Sequence, residues 1–245
     1  MADLAEEISG SRGVKPAGRR RMSVRYVVFE LILSRAVPSA FFLAFLAAQI
    51  AAAEHRLAET TGNLSPVDFA FALQRGLSTL FYALVVALFI IRRPVTGKHS
   101  SPLGAAVGLA GTFLIVVVPL IVGMPEARGD LDILVVSCAI IFVGMAFAVF
   151  SLAALGRCFG IFPEARGLVT RGPYRLVRHP VYLGELISIL GMVVATLSPV
   201  MLAVFLATVG LQYWRTINEE QVLASVFPEY ERYRRQTPRL LPFIG

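Results

Sequence analysis

Six apolar stretches dominate this sequence, at about residues 27–53, 67–91, 103–122, 131–155, 181–197 and 200–214. An α-helix needs roughly 20 mostly apolar residues to cross the hydrocarbon layer, and in lipid its backbone groups must be satisfied within the segment. The stretches therefore predict an all-α, polytopic integral membrane protein with about six transmembrane helices. A mean hydropathy of +0.71 fits that solvent better than water. The last two stretches are interrupted at Ser198-Pro199. They read as a tight helical hairpin, because one unbroken helix of that length would overshoot the bilayer by more than half.

Basic residues set the orientation, since Lys and Arg concentrate in cytoplasmic loops. With six spans, the opposite face carries only Arg56 and Arg128, while every other Lys and Arg outside the spans lies on the face of the two termini. Both termini are expected in the cytoplasm, and an odd number of spans would destroy the asymmetry. The net charge of +7 then reflects juxtamembrane arginines facing an anionic leaflet, so the bilayer is a partner and nucleic acid is not. The chain uses 21 Arg against 2 Lys with short loops, a composition that suggests a bacterial plasma membrane. Three units are expected: a flexible cytoplasmic tail at 1–24, with no cleaved leader, a four-helix membrane region at 25–155, and a chemical core at 156–245.

Two cysteines, Cys138 and Cys158, and three histidines in three separate loops, His55, His99 and His179, predict neither a disulfide scaffold nor a metal site. Walker, dinucleotide-glycine and nucleophile-elbow motifs are absent from the sequence. Of the two intramembrane charges, Arg35 is read as pairing with Glu30, and Arg75 as reaching the outer face.

Polar density is unusual in the loop 156–182 and in the stretch 215–220, which the hairpin returns to the same face. His179, just before Pro180, should be extended and at the entrance of the fifth helix, with the proline in its first turn. A helix N-terminus offers free N–H groups and a positive dipole end to a carboxylate or phosphate. Alternatively, Arg178-His179-Pro180 is interface punctuation, with the arginine reaching lipid headgroups. Arg215 and Glu219 share a helical face four residues apart, with Glu220 adjacent. Two acids directly after a span need cationic company, from a ligand or from the loop arginines, unless they simply start a solvated helix.

These residues resemble the isoprenylcysteine carboxyl methyltransferase family, within the wider group that includes membrane phospholipid N-methyltransferases. The resemblance rests on LVTRGPYRLVRHPVYLGE at 168–185, Gly191 six residues later, Glu219-Glu220 after a hairpin, and the ending FPEYERYRRQTPRLLPFIG. It covers roughly 155–245; residues 1–154 match only as generic spans. It implies S-adenosylmethionine as cofactor, held in a cytoplasmic pocket closed by the loop and the C-terminal segment. It also implies a lipidic or prenylated acceptor entering from the bilayer. Carried over by position, the cofactor contacts are Arg166, Gly167, Leu168, Val169, Tyr174, Arg178, His179, Pro180, Val181, Tyr182 and Glu219. Arg215, Glu219 and Glu220 are the catalytic candidates, Arg215 at the substrate-carboxylate position. The loop is shorter than in eukaryotic relatives, and the family's upstream glutamine contact has no counterpart near Pro163.

Chemistry agrees with those roles. A carboxylate acceptor is already ionised at neutral pH and needs no general base, so positioning and water exclusion carry the catalysis. A phospholipid amine acceptor would instead need a base such as Glu220. A nicotinamide-dependent sterol-type reductase and a non-catalytic lipid-binding protein are the remaining readings. Tyr230, Tyr233 and Phe243 are expected to pack the C-terminal segment against the loop.

Overall fold

The computed structural model describes residues 35–59, 66–95, 102–122 and 131–241, and among these all regular structure is helical. Helices α1 (Val37–Glu59), α2 (Pro66–Ile91), α3 (Pro102–Val122), α4 (Leu131–Leu155), α5 (Pro180–Thr196) and α6 (Pro199–Val226) occupy the six apolar stretches. A short helix α7 (Tyr230–Gln236) follows. Residues 1–24, Glu30 and Phe243 lie outside the described residues.

Among the described residues, two helical segments, Leu131–Cys158 and Pro199–Val226, are long and apolar enough to cross a membrane. Less than a third of each apolar window, 28% and 33%, is buried inside the protein, so most of that surface needs an apolar medium. Large side chains agree, Phe150 and Leu206 on these two segments and Phe69, Ile90 and Ile121 on other helices each being at least 60% exposed. Arg75 is held on its neighbouring helix, its Nη1 donating to Gln49 Oε1 at 3.0 Å.

The hairpin forms where the sequence breaks. Leu197 adopts a left-handed conformation (φ 46°) and its N–H caps α5 by donating to the Val193 carbonyl at 2.8 Å. Ser198 and Pro199 then open α6, the proline in a position where its missing N–H costs nothing. At 28 residues α6 is about 42 Å long, longer than a hydrocarbon core of about 30 Å. Its last turns therefore extend past the apolar stretch and carry Arg215, Glu219 and Glu220.

Among the described residues, α4 and α5 make the most extensive helix–helix contact, and glycines lie at its tightest points. A Cβ on Gly184 would stand 2.7 Å from the Ala148 nitrogen and 2.7 Å from the Gly144 carbonyl oxygen. A Cβ on Gly144 would stand 2.5 Å from the Ser188 nitrogen, and one on Gly191 2.5 Å from Ile141 Cγ1. Backbones packed this closely gain the dispersion and polar contacts that drive association where no hydrophobic force acts between helices. Gly184 and Gly191 stand inside or just after the motif-bearing segment, and packing is what they are for.

Candidate functional site

The loop between α4 and α5 folds back over the helix ends. A 3₁₀ turn at Gly156–Cys158 leaves α4, and Arg157 joins it to the end of α2, its Nε donating to the Ile91 carbonyl at 2.9 Å. A second 3₁₀ turn, Gly172–Arg175, begins at the Gly-Pro signal. His179 is the N-cap residue of α5 with Pro180 in the first turn, as expected, but its backbone (φ −126°, ψ 62°) is neither helical nor the extended conformation expected of it. No side-chain cap bonds the α5 N-terminus, so the first-turn N–H groups are left for another acceptor.

The C-terminal segment straps this entrance. The Arg178 N–H donates to the Pro238 carbonyl at 2.8 Å and the His179 N–H to the Arg239 carbonyl at 3.1 Å. Tyr233 donates its hydroxyl to the Tyr174 carbonyl at 2.6 Å, and Tyr230 is buried beside it. Burial pushes the Tyr174, Tyr230 and Tyr233 hydroxyls well above their ordinary range, so they remain protonated donors.

Two carboxylates on α6 divide the neighbouring cations. Glu220 accepts a bidentate pair from Arg239, at 2.9 and 3.0 Å, lies 3.2 Å from His179 Nε2 and 3.3 Å from Arg178 Nη1. Pairing with Glu220 holds Arg239 above its usual range. Glu219 faces the other side: its Oε1 accepts from Tyr182 and, at 3.1 Å, from Arg215 Nε, while its Oε2 stands 3.7 Å from His179 Nδ1. The imidazole therefore lies between the two acids, stacked on Tyr182.

Arg215 is 4% exposed and crosses to other elements. Its Nη1 donates to Thr112 Oγ1 on α3 at 3.0 Å, and its Nη2 to the Ile161 carbonyl in the loop at 2.8 Å. The guanidinium also lies over the Tyr182 ring, 4.7 Å from its centroid. Of five N–H donors three are committed, leaving two for a ligand.

A cavity of about 230 Å³ opens beneath the loop. Gly167, Leu168, Val169, Tyr174, Arg178, His179, Val181, Tyr182, Arg215 and Glu219 all line it. Arg166, Pro180 and Glu220 are not part of that lining. Arg166 is buried beneath the loop instead, donating to the Arg93 carbonyl and to Glu164. From this polar end the cavity runs down α5 to Ile189 and Met192, about 18 Å below Pro180, between Phe42, Tyr82 and Val85.

Sequence reasoning gave no role to Glu185, Gln212 or Thr112, all in the cavity wall, or to the Arg239 clamp on Glu220. For Glu185 the signal was present, since it ends the motif one helical turn after Tyr182. Arg239→Ala removes the bidentate clamp. It is expected to lower the thermal midpoint by about 5 °C; an unchanged midpoint would mean that the strap holds without it.

One comparison with known proteins is located on the same region. The family model described as phospholipid methyltransferase matches residues 133–230. The cobalt-zinc-cadmium resistance protein CzcN of Cupriavidus metallidurans is 40% identical over 100 residues, 39% of this chain and 46% of that protein. The nickel-cobalt-cadmium resistance protein NccN of Alcaligenes xylosoxydans xylosoxydans is 30% identical over 140 residues, covering 55% and 65%. Protein-S-isoprenylcysteine O-methyltransferase A of Arabidopsis thaliana is 34% identical over 86 residues, covering 34% and 44%. The matches thus span between 44% and 65% of the length of these relatives. A solved structure of a eukaryotic intramembrane Ras methyltransferase, isoprenylcysteine carboxyl methyltransferase, superimposes with a TM-score of 0.47 at 20% identity, over 74% of this chain and 68% of that one.

Proposed function

We propose that this protein, whose residues 133–230 carry the phospholipid methyltransferase family match, is a membrane methyltransferase that uses S-adenosylmethionine to methylate a carboxylate on a lipidic acceptor. The observation that carries the reading is one continuous cavity, polar under the loop and apolar between α1, α2 and α5, with Arg215 in its polar wall. Such a shape suits a polar cofactor above and an acyl or prenyl tail below. The topology that goes with it has six spans, both termini in the cytoplasm and the loop on that side.

The residues fit the cofactor by their donor set. The uncapped N-terminus of α5, at Val181 and Tyr182, and the Arg178 and His179 side chains suit a carboxylate, while Glu219 suits an ammonium. Gly167, Leu168, Val169 and Tyr174 form the wall against which an adenosine would rest. When bound, the sulfonium supplies a methyl group that is electrophilic without further activation. Arg215 holds the acceptor carboxylate through its two uncommitted N–H groups, and its bonds to Thr112 and Ile161 keep it from turning away. The apolar wall and the strap 237–241 keep water out of the reacting end.

Glu220 favours a carboxylate over an amine as acceptor. An amine must lose a proton, and Glu220, clamped by Arg239 and flanked by Arg178 and His179, is held as an anion that neutralises the loop. We assign Glu220, with Arg166 and Pro180, to shaping the loop rather than to touching ligand.

Calorimetric titration of S-adenosylhomocysteine into the full chain in detergent tests the cofactor. Micromolar binding is expected, weakened at least about tenfold in His179→Ala and Glu219→Ala. Folded protein that binds a reduced nicotinamide dinucleotide phosphate instead, or neither ligand, would overturn the reading.

A further inference from the structure

One polar pair in the cavity has no part in the scheme above. Glu185 on α5 and Gln212 on α6 both line it, and Gln212 Nε2 donates to Glu185 Oε2 at 2.7 Å. Gln212 is 0% exposed, yet its Oε1 accepts no hydrogen bond among the described residues. A buried acceptor left empty costs free energy that a native structure rarely tolerates without a use. Around Glu185 the electrostatic neighbours are Arg215, Glu219, Tyr182 and Tyr82. The hydrogen bonds of Arg215 run to Glu219, Thr112 and Ile161, so the direct partner of the Glu185 carboxylate is a neutral amide, with the Arg215 charge acting on it without a bond. A carboxylate and an unpartnered carbonyl side by side in an apolar cavity present an acceptor face, and its complement is a cation with several N–H groups.

The geometry points to a second subsite formed by Glu185 and Gln212, which receives a primary ammonium on the acceptor, so that the acceptor's head is a zwitterion. The subsite rests on the methyltransferase reading for the identity of its ligand. Gln212 stands three residues before Arg215 on α6, neighbours on one helical face with Cβ atoms about 5–6 Å apart. A carboxylate on Arg215 and an ammonium on the Glu185–Gln212 pair are thus within the span of one amino-acid head. A plain fatty acid would fill only the first place, and with Arg215 shared by the acceptor carboxylate a neutral amide would bring Glu185 no counter-charge of its own.

The test is equilibrium binding of three probes with one tail: S-farnesylcysteine with its free amine, its N-acetyl derivative, and 3-(farnesylthio)propionate, which lacks the nitrogen. Calorimetry in detergent on the full chain is expected to rank the free amine first, about tenfold or more over either of the others. Gln212→Met and Glu185→Gln should each reduce that preference below about threefold. Gln212→Met keeps the volume and serves where the Glu185 variant does not fold. Equal binding of the three probes, binding of none, or a preference unchanged in Gln212→Met overturns the subsite. S-adenosylhomocysteine binding, measured on the same samples, reports separately on the methyltransferase reading: its loss with the amine preference intact leaves the subsite standing.

Discussion

Arg215→Ala is expected to reduce methyl transfer to a prenylcysteine carboxylate by about 10²–10³-fold in kcat/KM, the usual effect of removing a charged donor from a reacting oxygen. Three of its N–H groups already fix it to Glu219, Thr112 and Ile161, so the guanidinium is oriented before any acceptor arrives. Preorganisation of that kind is what makes an electrostatic contact effective in catalysis. Arg215→Lys should recover little, because one ammonium cannot reach α3, the loop and Glu219 while also holding a carboxylate. Binding of S-adenosylhomocysteine is expected to weaken by less than about tenfold, since Glu219 keeps its bond from Tyr182. Radiolabelled methyl transfer measured beside that titration checks both numbers. Transfer retained at wild-type rate in Arg215→Ala would remove Arg215 from the acceptor site. Loss of binding in parallel with transfer would make it a prop for Glu219.

What the sequence revealed follows the physics that each feature depends on. Apolar length and the Ser198-Pro199 break are local properties, and the helices and the hairpin stand where those properties put them. The place of His179 at the α5 entrance was equally legible, because Pro180 restricts the residue before it. The hairpin alone brings the loop 156–182 and the stretch 215–220 to one face, but the bond between Tyr182 and Glu219 joins residues 37 apart in a register that no local pattern fixes. Two things stayed hidden. Arg239 reads as one basic residue among many in the tail, and only the strap over Arg178 and His179 brings it to Glu220. Gln212 and Glu185 look like an ordinary polar residue and the last letter of a motif. Their meeting depends on how α5 and α6 rotate about their own axes, and the packing of glycines against α4 fixes the first of these.

That packing supports the second large effect. Gly184→Val is expected to abolish the folded protein: no monodisperse peak by size exclusion in detergent and no cofactor binding, at expression temperatures where the wild type is stable. The Cβ alone would stand 2.7 Å from the Ala148 nitrogen, 2.7 Å from the Gly144 carbonyl oxygen and 2.8 Å from the Ala148 Cβ. None of these is the end of a flexible side chain, so relief requires α4 and α5 to move apart. Separation would cost contacts along the whole pair, including the fit of Gly191 against Ile141 and of Ser188 against Gly144. Overpacking of well-packed interiors costs about 1–3 kcal/mol even where side chains can adjust, and here backbone and the rigid Ala148 Cβ face the new atoms. Gly210→Val is the control, because a Cβ there meets nothing within 4 Å. It should leave elution and binding unchanged, whereas Gly184→Ala should fold with a midpoint lower by roughly 5–10 °C. A folded Gly184→Val that binds S-adenosylhomocysteine as the wild type does would show that α5 reaches the site by some other packing. The positions of His179, Tyr182 and Glu185 would then have to be derived again, since all three are carried into the cavity by the first turns of that helix.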